Sequence, residues 1–355
     1  MKIAFFAPYP INTVASQRFR FEQYFNELEK KGIDHNLYSF YPRWAFEVLY
    51  KEKHYFRKTA GIVAGFMRRS IQLLKSLDAD YVLIHRELTP LGPPVFEWIL
   101  IQVFKKQVIF DFDDAIWIPD ESSGNRWFLR LKWHQKVAYL CRKSCRVSAG
   151  NQYLADFALR YNSRITINPT TVDTSKTAHI KVNHRKEHVT IGWTGTHTTM
   201  KYLEMILDPL QKILNEYEQA SLLIICNHQP AWKIKKMEFI RWKKTGEWDD
   251  LSRIHVGLMP LPEDPWTLGK CGFKILEYFS LGIPALASPV GFNSRLIDHG
   301  GNGFLCRNGS EWIKYLEILI QDPSRRTSMG ASGKKLVEDA FSLTSNRDTF
   351  LGLFE

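Results

Sequence analysis

Three stretches of the chain combine residue types that could do chemistry. The first is Gly269-Lys-Cys-Gly-Phe-Lys-Ile-Leu-Glu-Tyr278. Lys270 and Lys274 bracket a helix start expected near Phe273. An anion there would gain from the lysine charges and from the helix N-terminal amides. Glu277 follows Lys274 by one turn on a similar face, where a carboxylate can accept the two hydroxyls of a ribose. A solvated lysine–glutamate pair is the competing reading. The second stretch is Ile191-Gly-Trp-Thr-Gly-Thr-His-Thr-Thr-Met-Lys201. Gly195 lets backbone approach a ligand, the amides after Thr196 can hold a phosphate, and Lys201 adds charge. His197 is a weaker contact candidate. The segment lacks P-loop and dinucleotide-fingerprint spacing, so a plain strand-to-helix turn also explains it. The third is Asp111-Phe-Asp-Asp114. Asp113 and Asp114 could bind substrate, stabilise developing positive charge, or cap a helix; a divalent metal is the lesser expectation and none is assigned. His85 could help deprotonate a substrate hydroxyl, or be structural. Arg86 could reach a phosphate. Arg18 is a binding candidate, and Arg20 reads equally well as a solvated helix face. Asn151 and Asp173 read mainly as caps.

These residues need elements to hold them. Apolar strand runs alternate with helical patterns, which implies parallel β/α units. Strands are expected at Lys2–Ala7, Ile33–Phe40, Asp80–His85, Gln107–Phe110, Arg146–Ala149 and Ile165–Ile167. The pattern restarts with Val189–Trp193, Ser221–Cys226, Ile254–Leu258, Ala285–Ala287 and Gly303–Leu305. Helices are expected at Trp127–Cys141, Lys201–Tyr217 and Phe273–Leu281, among others. The expected organisation is a first α/β domain over 1–170, a polar linker over 171–188, a second over 189–335, and a C-terminal helix over 336–355 packing back on the first. Ligands of open parallel sheets sit beyond the carboxyl ends of the strands. Every candidate above follows such an end or opens the next helix.

The bulk composition narrows the partners. A net charge of +11 fits nucleic acid, an anionic membrane surface, or phosphate-bearing substrates. No nucleic-acid motif is present, so nucleic acid is not expected, although a basic nucleic-acid-binding protein stays as an alternative. Arg43–Leu77 carries eight Lys or Arg residues among aromatics. It reads as one or two amphipathic helices lying on an anionic membrane, or as packed helices with snorkelling lysines. Five scattered cysteines without paired spacing suit reduced thiols. There is no signal-peptide pattern and no apolar run near the roughly 18 residues a membrane span needs. The expectation is a cytoplasmic protein, peripheral on the inner face of the cell membrane.

The Gly269–Tyr278 segment, followed by Gly282-Ile-Pro-Ala-Leu-Ala-Ser-Pro-Val-Gly-Phe-Asn293 and Gly300-Gly-Asn-Gly-Phe-Leu305, resembles the donor half of retaining GT-B glycosyltransferases of the family-4 kind. Asp111-Phe-Asp-Asp-Ala-Ile-Trp117 and Ser16-Gln-Arg-Phe-Arg20 resemble the amino-terminal half of a bacterial branch of that group. The resemblance implies two Rossmann-like domains facing across a cleft. It also implies sugar transfer, with retention, from a nucleoside-diphosphate-sugar donor to a glycan or lipid-linked acceptor in cell-surface polysaccharide or glycoconjugate synthesis. It places Glu277 at the second glutamate of the family's E-x7-E pattern, on the nucleotide ribose. Lys201 falls at a lysine on the donor diphosphate, and Gly195 at the phosphate-facing loop. Two positions depart from the pattern: Gly269 stands where the first glutamate belongs, and Thr196 where an arginine does. Lys270 or Lys274 is a candidate replacement for the missing positive charge. No cofactor and no metal is implied, since lysines and helix N-termini can stabilise a departing diphosphate. A sugar-nucleotide epimerase on the same fold is the alternative within enzymes.

Overall fold

The computed structural model describes residues 1–51, 53–119, 131–185 and 187–355. The chain forms two compact units, residues 1–170 with 346–355, and residues 171–345.

Unit 1 is built on six parallel strands: β1 (Lys2–Ala7), β2 (Asp34–Ser39), β3 (Tyr81–His85), β4 (Gln107–Phe112), β5 (Arg146–Ala149) and β6 (Ile165–Ile167). Their spatial order is β2-β1-β3-β4-β5-β6. Ile3–Ala7 and Val82–His85 are buried throughout, as expected of continuous apolar runs covered on both faces. Chain order reverses between β1 and β3, the kind of switch point beside which parallel sheets hold ligands. Residues 346–355 complete the unit. Phe350 stacks on Tyr24 at 4.2 Å, Phe354 meets Phe5 edge-on at 6.1 Å, and Arg146 donates to the Gly352 carbonyl.

Unit 2 has β7 (Val189–Gly195), β8 (Ala220–Cys226), β9 (Met237–Arg241), β10 (Val256–Met259), β11 (Ala285–Ala287) and β12 (Gly303–Leu305). The order is β12-β11-β10-β7-β8-β9, again all parallel, with the switch point between β7 and β10. At that seam Gly192 and Gly257 are register partners. A Cβ on Gly257 would sit 2.3 Å from the Tyr278 ring, so glycine is what lets the helix Phe273–Ser280 press onto the sheet. Segment 171–188, expected as a linker, is held against this unit. Val172 bridges to Ser342, His184 Nε2 lies 2.7 Å from the Gly282 carbonyl, and Arg326 donates to the His184 carbonyl at 2.5 Å.

Several elements differ from expectation. β9 was not anticipated; it is a half-exposed edge strand, so its residues carry no strong buried pattern. The helix expected over Lys201–Tyr217 is two, His197–Glu204 and Leu207–Glu216. Pro209, in the first turn of the second, has no N–H with which to continue the first helix. The helix expected from Trp127 begins outside the described residues; its later part is Lys136–Lys143. Among the described residues no helix is long and apolar enough to cross a membrane.

Candidate functional site

On unit 2 two of the candidates, Gly195 and Lys274, come together at the carboxyl end of β7. Trp193 and Gly195 are two apart on one strand and so share a face. The Trp193 ring lies under Gly195, where a Cβ would meet it at 2.5 Å. The same indole carries Lys274, whose Nζ is 5.5 Å from the ring centroid. Trp193 thereby brings the Gly195 turn and Lys274 to one place. Tyr278 makes a second link. Its hydroxyl accepts the Thr194 N–H at 3.1 Å and lies 3.4 Å from the Leu258 carbonyl, joining β7, β10 and the helix that carries Glu277. Burial, helped by the neighbouring Glu277 carboxylate, pushes the Tyr278 phenol well above its ordinary pKa, so it stays a neutral strut. Glu277 is buried one turn beyond Lys274.

Thr196 caps the next helix. Its side chain and that of Thr199 form a capping box, with the Thr196 N–H donating to Thr199 Oγ1 at 3.1 Å. The His197 N–H donates to Asn227 Oδ1 at 2.9 Å, which brings in the turn after β8. The His197 ring is 6.4 Å from His228, and burial followed by that neighbour lowers its pKa. Two lysines keep more local company. Lys201 is exposed, its Nζ 5.2 Å from the Tyr202 centroid, and Lys270 lies 5.2 Å from the Trp266 centroid. Gly272, at φ +63°, turns the chain into the Lys274 helix. Trp193, Tyr278 and Asn227 were missed in the sequence. Asn227 follows a strand end, and the Trp193–Gly195 spacing is a strand spacing, so both signals were present.

On unit 1 the carboxyl ends of β3 and β4 carry two layers. The inner layer centres on buried Asp111. It receives the Arg20 guanidinium, Ser148 Oγ at 2.6 Å and His85 Nδ1 at 2.7 Å. His85 and Asp111 are register partners, which sets that contact. Burial alone would raise the Asp111 pKa, but Arg20 and His85 outweigh it and hold the carboxyl well below its ordinary value. Arg20 is therefore buried and structural, where a solvated helix face had been the alternative. Arg20 also donates to Ser148 Oγ at 3.3 Å and to the Asn168 carbonyl. His85 is fully buried, with Nε2 also out of water.

The outer layer is Arg86 with both expected aspartates. Arg86 Nε donates to Asp113 Oδ1 at 2.9 Å and Nη2 to Asp114 Oδ2 at 2.6 Å. Burial works against the arginine charge, yet Asp113 and Asp114 prevail and raise its pKa. The three groups sum to one negative charge. No helix follows directly, so neither aspartate is an N-cap; the chain turns, with Ile116 N–H donating to the Asp114 carbonyl. Arg86 has φ +65°, an unusual conformation for a non-glycine residue. Arg18 is half-buried, its guanidinium 4.7 Å from the Phe19 centroid. Asn151 and Asp173 act as caps, accepting from the Leu154 and Ser175 amides.

Residues 188–322 match the family model described as Glycosyl transferases group 1. The chain is a glycosyltransferase. Its fold is that of two Rossmann-like domains of the GT-B class, shared with solved structures of low identity. HepE from Anabaena, crystallised with UDP-glucose, superposes with a TM-score of 0.67 at 14% identity, covering 99% of each chain. Sucrose-phosphate synthase from Thermosynechococcus elongatus gives 0.72 at 13%, covering 99% of this chain and 98% of that one. A glycosyltransferase from Rickettsia africae gives 0.67 at 11%, covering 99% and 97%. The matched family segment contains Gly195, Thr196, Lys201, Lys270, Lys274 and Glu277.

Proposed function

We propose that this glycosyltransferase takes a nucleoside-diphosphate-sugar on unit 2 and passes the sugar, with retention, to a glycan or lipid-linked acceptor, without a metal or other cofactor. One observation carries the reading: the Gly195 turn and Lys274 share the Trp193 indole beside the β7–β10 switch point, with Glu277 one turn further along the Lys274 helix. The turn amides and Lys274 take the diphosphate, and Glu277 takes the ribose hydroxyls. Lys201 and Lys270 add positive potential from either side. That the related HepE was crystallised with UDP-glucose supports a nucleotide-sugar donor.

In this reaction the bond from the anomeric carbon to the diphosphate oxygen breaks, and an acceptor oxygen bonds to that carbon from the same face. The acceptor proton passes to the departing phosphate, so no enzymic nucleophile is required. The lysines and turn amides stabilise the leaving diphosphate. Asp113 and Asp114 orient acceptor hydroxyls or face the positive charge developing on the sugar, with Arg86 fixing their geometry. His85 is assigned to positioning through Asp111, and Arg18 to the acceptor side. Synthesis of a cell-surface polysaccharide or glycoconjugate is the setting this chemistry fits.

A thermal-shift panel of nucleoside-diphosphate sugars tests the donor assignment. A binder at 100 times its Kd stabilises the folded state by about 2.7 kcal/mol. At least one donor should raise the melting temperature, and Glu277→Ala should remove that shift. A panel with no shift, alongside a shift with RNA or DNA, would replace the proposal with a nucleic-acid reading.

A further inference from the structure

The helix Tyr55–Lys75 carries apolar side chains on its outward face as well as its inward one. Its inner face mixes small and polar residues with Ile62, Phe66 and Leu73, which pack on the core. Gly61 abuts Ala45, Gly65 abuts the Phe40 ring, and Arg69 and Gln72 are buried. A second set of large apolar side chains points the other way. Phe56, Val63, Met67, Ile71 and Leu74 are between 52% and 86% exposed. Their spacings of seven, four, four and three residues keep them in one stripe along a helix about 30 Å long. From Lys53 to Leu77 the sequence contains six Lys or Arg residues and no Asp or Glu. Arg57, Arg68 and Lys75 run along one flank of the stripe by the same helical geometry.

We propose that this outward face is a docking surface for an anionic lipid bilayer, with the stripe entering the acyl boundary and the basic flank on lipid phosphates. The inference stands apart from the donor reading on unit 2. A second copy of the chain fits the face poorly, because pairing the stripes would bring two acid-free basic flanks together. The helix is also well fixed. Arg69 donates to the carbonyls of Ala7 at 3.1 Å, Tyr38 at 3.0 Å and Leu88 at 2.8 Å. Those groups lie at or beyond the carboxyl ends of β1, β2 and β3, the same edge of unit 1 that carries Arg86. A bilayer held by the stripe would therefore be held in a fixed relation to that edge, which suits an acceptor anchored in lipid.

Vesicle co-sedimentation of the full chain tests this. The chain should pellet with phosphatidylcholine–phosphatidylglycerol vesicles, and less with phosphatidylcholine alone or at raised salt. The double variant Met67→Ser, Ile71→Ser should lower the partition by at least about tenfold, given the apolar surface removed. It should keep the wild-type donor thermal shift, so failure here and failure of the donor assignment are distinguishable. If that variant does not fold, Arg57→Gln with Arg68→Gln should still weaken pelleting. Wild type that stays in the supernatant, pelleting indifferent to both variants, or a dimer that the serine variant splits without any vesicle binding would each overturn the proposal.

Discussion

Asp111 keeps its charge where water does not reach it, because Arg20, His85 and Ser148 surround it. Removing the charge leaves the Arg20 guanidinium buried without its counter-ion. Asp111→Asn is expected to lower stability by about 3–5 kcal/mol, read from urea unfolding. The pH dependence follows from the depressed Asp111 pKa. Its contribution is fully present above the unfolded carboxylate value of about 3.9 and is lost as pH falls through the lower folded value. The wild-type urea midpoint should therefore drop with acidification below about pH 4, and the Asn variant should drop less steeply there. At the donor end, Lys274→Ala should weaken nucleotide-sugar binding more than Lys201→Ala, since only Lys274 shares the indole with the Gly195 turn. Equal losses in a titration would count against that placement. Residue identities at strand ends were legible in the sequence; their partners were less so. Arg20 reads as a surface residue because Asp111, which explains it, is 91 residues away.

The elements most important to the proposed donor site are β7 and the Phe273–Ser280 helix, and Tyr278 ties them. Tyr278→Phe removes the acceptor of the Thr194 N–H while keeping the ring. A loss of about 1–3 kcal/mol is expected for the unsatisfied buried amide. Donor affinity should also fall, although Tyr278 is not assigned a donor contact; unchanged affinity would mean the two elements hold their places without it. Gly272→Ala should destabilise as well. It puts a side chain at φ +63° and a Cβ 2.4 Å from Leu296, for a sum of about 1–3 kcal/mol. The central strands were legible because burial on both faces writes a continuous apolar run into β1, β3 and β8. β9 was not, since an edge strand with half-exposed residues has little pattern to show. The break between His197–Glu204 and Leu207–Glu216 was signalled by Pro209, and the amphipathic period concealed it.

At the scale of the molecule, the +11 charge is put to more than one use. Part is internal, in Arg20, Arg69 and Arg326, which are buried on carbonyls and a carboxylate. Part is on the outer helix, and part, on Lys274, lies beside the Gly195 turn. Composition could not apportion these, because burial is decided by contacts distant in sequence. Two α/β domains were legible from the restart of the strand pattern near Val189. The attachment of segment 171–188 to unit 2 was not, since it rests on contacts distant in sequence: polar ones to Gly282, Arg326 and Phe341, and the packing of Val172, Ile180 and Val182 on the core. Glycosyl transfer with a donor on unit 2 is tested most directly by product formation. The full chain is incubated with isotope-labelled nucleoside-diphosphate sugars and an extract of glycans and membrane lipids. Label should move into the extract with equimolar release of nucleoside diphosphate, only when the extract is present, and Glu277→Ala should abolish both. Donor turnover that needs no acceptor, or transfer that survives Glu277→Ala, would contradict the account.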